Sequence, residues 1–252
     1  MKKWITILAI FISFLTSAQN NTLFENATTA YNKGDYEAAI QNYLEILENG
    51  EHSANLYYNL GNSYYKLNKI GPSIYYYEKA LLLDPNDSDI KQNLAFAQNM
   101  TIDAIEPLPQ TSISKLIASF KNILSFNQWS YAAVFCMFLF VAFYLAFYFV
   151  RFTNQKRISF IISVIFLSFS IISVLMAVVQ YQDFTATQPA IVFAEESRIK
   201  AEPNTRSEEV FILHEGSKVA VEDRLEDWVK IRLVDGKTGW MRTMDLKMLK
   251  DF

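Results

Sequence analysis

Two runs of 22 residues, Trp129 to Val150 and Ile158 to Val179, contain no Asp, Glu, Lys, Arg or His. At about 1.5 Å of rise per helical residue each would extend about 33 Å, enough to cross a hydrocarbon core of about 30 Å. Only residues 151–157 separate them, and Arg151, Lys156 and Arg157 make that segment basic. The pattern predicts a transmembrane helix over 129–150, a cytoplasmic loop over 151–157 and a second transmembrane helix over 158–179. Cations in so short a loop hold it on the cytoplasmic side. The segments before and after the hairpin are then expected on the opposite face, the periplasmic side of an inner membrane.

The N-terminus predicts the same arrangement. Lys2 and Lys3 precede an apolar stretch from Trp4 to Leu15, and Thr16-Ser17-Ala18 supplies small residues before Gln19. This is the pattern of a secretory signal peptide over 1–18, too short to span as an ordinary helix.

Charge is unevenly distributed. The chain has a formal net charge of −3, yet residues 19–110 carry 12 acidic and 5 basic side chains. Neither flanking region forms a basic patch, which argues against nucleic acid as a partner. The only cysteine, Cys136, lies within the first apolar run, so the exported regions must fold on packing rather than disulfides.

A period of 34 residues runs through the N-terminal third. Its clearest copy, Ala54 to Asp87, places Tyr57, Leu60, Gly61, Tyr64, Ser73, Tyr77, Ala80 and Pro85 at the spacings of the tetratricopeptide repeat, and the segment resembles that family. A looser copy covers Asn20 to Ser53, with Ala27, Tyr31, Gly34, Tyr36, Ala39, Tyr43 and Ile46. Leu60 and Tyr64 share one helical face, Gly61 leaves room for a crossing helix, and Pro85 stops the second helix. Two helix pairs leave an apolar face open, so a capping helix is expected from Ser88 to about Ala104, giving five helices over 19–104.

In this family the concave face of such an array receives a peptide. The resemblance therefore implies protein-binding residues at Asn55, Tyr58, Asn62, Tyr65 and Lys66 in the second repeat, and at Phe24, Thr28 and Tyr31 in the first. The alternative occupant of the groove is the chain's own segment 105–128. Phe24 and Tyr58 fill the lysine position of a carboxylate clamp, which disfavours that version of the groove.

Residues 105–128 open with Pro107 and Pro109, which break the helical array. An amphipathic helix follows, with Ile113, Leu116, Ile117, Phe120, Ile123 and Leu124 on one stripe, lying on the outer leaflet or packed on the repeats. Within the spans, Ala142 and Ala146, Ser159 and Ser163, and Ser173 and Ala177 place small residues at close-approach spacing. The spans carry no charge, which argues against a pump, a channel or a proton relay.

From Gln188 the pattern changes to short alternating runs separated by turn residues, as expected for a small all-β barrel. Asp227-Trp228-Val229-Lys230-Ile231 and Asp235-Gly236, followed by Gly239-Trp240-Met241, resemble the bacterial SH3 domain, over 188–252. Trp228 and Trp240 are expected to be half-buried. The acidic residues Glu226 and Asp227 beside Trp228 suit a cationic ligand through charge and cation–π contact; the competing reading makes Trp228 core and the acids solvated. Bacterial SH3 domains accompany cell-wall enzymes, but a papain-like hydrolase needs a Cys and a His within reach. Here Cys136 is intramembrane, and His52 and His214 are expected as exposed turn residues. No metal site, cofactor site or catalytic constellation is expected, and the protein is read as non-enzymatic.

The fold class expected is therefore multidomain: an α-helical repeat array, a two-helix hairpin and an SH3-like barrel. This order resembles the Bat aerotolerance-operon membrane proteins of the BatE type. The resemblance implies an accessory role in envelope or stress fitness, alongside von Willebrand factor A-domain membrane proteins and a MoxR-type ATPase. The residues themselves leave two functions open: an interaction scaffold acting through the repeats, and a peptidoglycan anchor acting through the SH3-like domain.

Overall fold

The computed structural model describes residues 19–106, 108–109, 111, 115, 119–120 and 123–250. The signal peptide expected over 1–18 and most of the expected amphipathic helix lie outside the described residues. The chain forms two compact units: one joins the residues through Leu108 to those from Gln188 onward, and the other comprises Pro109–Thr187.

The first unit opens with a helical array: α1 (19–32), α2 (Tyr36–Glu48), α3 (Ala54–Lys66), α4 (Ile70–Leu83) and α5 (Ser88–Gln98). Three of the starts have a local cause. Asp35, Ser53 and Asp87 cap α2, α3 and α5, their side chains accepting from Ala38, Leu56 and Ile90 N–H groups that have no partner within the helix. The turn into α2 needs Gly34, at φ +85°. Gly61 is set by packing, because a Cβ there would sit 2.5 Å from the Tyr77 ring. Ser73 Oγ donates to the Gly61 carbonyl at 2.9 Å and ties α4 to α3 where they cross. Leu60, Tyr57, Tyr77, Ile74 and Ala80 form the core between these helices.

The capping helix is shorter than expected. It ends at Gln98 rather than near Ala104, and Thr101 Oγ1 donates to the Gln98 carbonyl at 2.7 Å. That bond occupies an acceptor at the helix end, and residues 102–106 run on without helix.

The β part has seven strands: β1 (Gln188–Val192), β2 (Glu196–Lys200), β3 (Glu209–His214), β4 (Lys218–Leu225), β5 (Trp228–Arg232), β6 (Thr238–Arg242) and β7 (Leu246–Met248). They form one sheet in the order β3-β2-β6-β5-β4-β1-β7, and every pairing is antiparallel. Val192, Ile199, Leu213, Val219, Val229, Ile231 and Met241 alternate inward to make its core. Gly236 takes φ +89° in the turn between β5 and β6, the positive φ that a side chain would resist.

The repeats and the sheet are packed as one body. Ile191 and Leu249 are 0 % exposed and belong to the apolar core of the repeats. Phe193 packs edge-on against Tyr75 of α4, 5.4 Å between centroids. The β3–β4 turn makes the polar half of the contact. Glu215 lies against Gly71 in the first turn of α4, where a Cβ would collide with its side chain. Gly216 fits against Ile74 and Thr101, and Lys218 Nζ pairs with buried Glu78 at 2.6 Å. Lys69, the residue capping α4, makes no side-chain cap bond, so a carboxylate from the sheet stands at that helix N-terminus, where negative charge is favoured.

The second unit contains α6 (Phe126–Phe149) and α7 (Thr153–Ala186), both long and apolar enough to cross a membrane. Ser125 and Gln128 form a reciprocal capping box at the start of α6. The turn between the helices is shorter than the loop expected over 151–157. With no Gly or Pro to stop it, α7 begins at Thr153 and takes Lys156 and Arg157 into its first turns. Lys156 Nζ lies 5.3 Å from the centre of the Phe147 ring. Buried Ser170 donates to the Ala133 carbonyl at 2.9 Å and pins the two helices together. Of the small residues expected at the contact, Ser163 and Ser173 are buried, whereas Ala142 is exposed.

Leu60 is fully buried between α3 and α4. Leu60→Ala is expected to destabilise the first unit by about 2–5 kcal/mol, the usual cost of cutting a buried leucine to alanine. Chemical unfolding of the detergent-solubilised chain, followed by tyrosine fluorescence, measures the change.

Candidate functional site

Helices α1, α3, α4 and α5 enclose a cleft of about 240 Å³, lined by Tyr31, Tyr58, Asn62, Tyr65, Lys66, Tyr77, Asn93 and Phe96. Tyr58, Asn62 and Tyr65 recur at helical spacing on α3, so one face of that helix supplies the wall. A hydrogen-bonded network runs across the floor. Tyr77 Oη donates to Asn62 Oδ1 at 2.7 Å, and Asn93 Nδ2 donates both to Asn62 Oδ1 and to Tyr58 Oη, each at 2.9 Å. Burial holds the Tyr77 phenol well above the usual tyrosine range, with the nearby Tyr58, Tyr31 and Tyr65 phenols adding to the shift against a Ser73 hydrogen bond. Burial also raises the Tyr31 phenol, aided by Tyr36, Tyr58 and Tyr43.

Five residues expected on the concave face, Tyr31, Tyr58, Asn62, Tyr65 and Lys66, lie together in this lining; Phe24, Thr28 and Asn55 do not. Phe24 packs edge-on against Tyr43, 5.4 Å between centroids. Thr28 Oγ1 contacts Tyr43 Oη at 3.2 Å and donates to the Phe24 carbonyl at 2.9 Å. These two side chains are spent on holding α1 to α2. Asn55 sits exposed in the first turn of α3. Three lining residues were not anticipated: Tyr77, Asn93 and Phe96. Phe96 was within reach, because it follows Asn62 by one 34-residue repeat. Tyr77 is both core and lining, buried between α3 and α4 while its ring borders the cleft.

The alternative occupant, segment 105–128, can be followed to Leu108. Ile105 packs on the core of the sheet, and the Leu108 N–H donates to the Val234 carbonyl at 3.2 Å. This stretch lies on the β part, not in the cleft.

Trp228 proves to be only 8 % exposed rather than half-buried. Arg242, its cross-strand partner, places its guanidinium 4.4 Å from the ring centre and reaches Asp227 at 3.8 Å. The cation expected on this indole is thus supplied by the chain itself. Glu226 occupies the β4–β5 turn at φ +51°, and Asp227 is 88 % exposed.

His214 is not an exposed turn residue. Its backbone N–H and its Nδ1 each contact the Asp103 carboxylate at 2.7 Å, and Ser217 Oγ donates to the same carboxylate. A carboxylate can only accept, so Nδ1 carries the proton. Burial pushes the Asp103 carboxyl up, but the bonds from Ser217 and His214 outweigh it and hold the group below its usual value. Asp, His and Ser meet here without the wiring of a hydrolytic triad. The hydroxyl is bonded to the carboxylate instead of to a histidine nitrogen, so the imidazole is not placed to take its proton. His52 contacts Tyr57 Oη through Nδ1 at 2.6 Å. Among the described residues no group of three or more His, Cys, Asp or Glu could hold a metal ion.

Comparison with known families identifies two modules. Residues 54–87 match the tetratricopeptide repeat, and residues 196–247 match the bacterial SH3 domain. No curated protein matches the chain. Both modules are interaction modules, typically without catalytic activity.

The depressed Asp103 carboxyl gives the contact between repeats and sheet a defined pH response. Its contribution is complete above the ordinary value of 3.8 and falls away as pH drops through the lowered native value. Glu215 acts in the opposite sense, because burial and the neighbouring Glu195 raise its carboxyl above 4.5. The protection factors of amides in the β3–β4 turn, taken against unstructured-peptide rates at the same pH, should therefore fall in strong acid. Asp103→Asn should speed exchange already at neutral pH and abolish the acid step.

Proposed function

We propose that this protein is a non-enzymatic, membrane-anchored interaction scaffold whose repeat cleft receives a segment of a protein partner. The observation that carries the reading is the cleft itself. Tyr58, Asn62, Tyr65 and Lys66 form one open wall of an array whose second repeat matches the tetratricopeptide family. Phe96 stays 50 % exposed at its edge, an aromatic surface that a partner can cover.

The two apolar helices insert as a hairpin in the inner membrane. The signal sequence and the cations Arg151, Lys156 and Arg157 favour a cytoplasmic turn, with both folded regions in the periplasm. The order of modules supports a place beside a Bat-type membrane complex, with von Willebrand factor A-domain proteins and a MoxR-type ATPase as the implied partners and envelope or stress fitness as the implied role. A second reading makes the SH3-like domain a peptidoglycan anchor. Its support is the match over 196–247. Against it stand the indole already covered by Arg242 and the β3–β4 turn already packed on α4.

In a Cys136→Ser background, Lys33→Cys and Arg206→Cys should react with a membrane-impermeant thiol reagent in spheroplasts, and Asn154→Cys should not. The reverse pattern would invert the topology. For the cleft, Tyr58→Ala with Tyr65→Ala is expected to weaken partner capture by about 30-fold, since truncating aromatic anchors commonly costs about 2 kcal/mol or more. The thermal unfolding of the pair variant should stay close to that of the parent. Salt-insensitive binding of the whole chain to purified sacculi, unchanged by that substitution, would instead make the wall anchor the leading function.

A further inference from the structure

The hydrogen-bond directions in the cleft restrict what it can hold. Asn62 Oδ1 already accepts from Tyr77 and Asn93, so its lone pairs are occupied while its amide N–H groups have no acceptor among the described residues. Tyr58 Oη already accepts from Asn93, leaving its proton to donate. The hydroxyl of Tyr65 and the ammonium of Lys66 add donors on the α3 wall and Tyr31 adds one from α1, while each phenol oxygen can also accept. The side-chain carbonyl left over is Asn93 Oδ1, and no carboxylate lines the cleft. With the phenol oxygens counted as acceptors beside Asn93 Oδ1, the donors of Asn62, Lys66 and the phenols still outnumber them, and the lining is largely aromatic.

Three ligand classes fit this badly. An ordinary extended peptide brings an N–H with every carbonyl, and the lining offers fewer acceptors than donors to receive them. A basic segment meets no carboxylate and faces Lys66. An acidic segment finds donors, but it must approach a region with 12 acidic and 5 basic residues over 19–110 and meets only one cation. A neutral chain with carbonyls and no N–H groups satisfies all three constraints. Proline supplies that backbone: it has no N–H, and its polyproline II helix makes no internal hydrogen bonds, so its carbonyls remain free to accept. Its flat rings pack on aromatic side chains, and its preset conformation reduces the ordering cost of binding.

We infer that the cleft recognises a proline-rich, uncharged segment of its partner in the polyproline II conformation, its carbonyls accepting from Asn62, Tyr58 and Tyr65 and its rings resting on Phe96. This rests on the cleft being the partner site.

The test uses the full chain in nanodiscs and a fluorescently labelled decaproline peptide. Controls are an alanine-glycine peptide of equal length, a glutamate-rich peptide and an arginine-rich peptide. Decaproline should bind saturably and more tightly than any control, and its affinity should not change as salt rises from about 0.05 to about 0.5 M, because no ion pair is involved. Tyr65→Phe removes one donor and keeps the ring, and Asn62→Asp keeps the acceptor and removes the amide donors. Each should weaken decaproline binding about fivefold, the scale of one net hydrogen bond. Phe96→Ala should weaken it as well, and circular dichroism melts should show all three variants folded. Equal or tighter binding of a control peptide, or donor variants that leave decaproline affinity unchanged, would overturn the inference. A photo-crosslinker at Lys66 in native membranes separates the two layers of the argument. A crosslinked partner without decaproline binding overturns the proline preference alone, and absence of both overturns the partner site as well.

Discussion

Asp103 accepts from the His214 N–H, from His214 Nδ1 and from Ser217 Oγ, and this carboxylate sits where the strap after α5 meets the β3–β4 turn. A carboxylate so far withdrawn from water is costly unless its oxygens are bonded, and here three donors come from one turn. The bonds fix that turn against the repeats, and the other contacts follow from its position. Glu215 reaches the N-terminus of α4, Gly216 fits over Ile74, and Lys218 meets Glu78. The apolar half places Ile191, Phe193 and Leu249 against the repeat core. The repeat array and the sheet form one folded body in this chain.

Helix α4 gives this arrangement its functional sense. Tyr77 lines the cleft, while Gly71, Ile74, Tyr75 and Glu78 meet the β part. The sheet therefore takes one side of the helix and leaves the cleft open on the other. A ligand bound in the proposed cleft would be held at a fixed orientation to the sheet, because both share α4 as a wall. The indole of Trp228 is buried in the sheet with Arg242 lying over its ring.

Local sequence was sufficient where local physics decides. The spacing of Leu60, Gly61, Tyr77 and Ala80 fixes a helix pair, and uncharged runs of this length predict the two apolar helices. The alternation of Val229, Ile231 and Met241 is likewise enough for strands around a small core. What could not be read depends on contacts far apart in the chain. The early end of α5 gains its meaning from Asp103, whose partner His214 is 111 residues away. Trp228 and Arg242 meet only through strand register. Phe24 and Thr28 have the spacing of groove residues, but Tyr43 on the neighbouring helix engages them first.

The pairing of Gly71 with Glu215 has a consequence for the lineage of such chains. A repeat helix in isolation would accept almost any small or polar residue in its first turn, and a β-turn in isolation would accept almost any hydrophilic one. A Cβ at position 71 would have to displace the Glu215 side chain from this space, so a change at one position is felt at the other. The same holds for Asp103 with the His214 to Ser217 turn. Relatives that keep this union should bear a joint fingerprint: glycine at the second helical position, an acid in the strap, and a turn reading His-Glu-Gly-Ser. Chains that carry the same two modules without that fingerprint should hold them as separate beads, free to tumble on their linker.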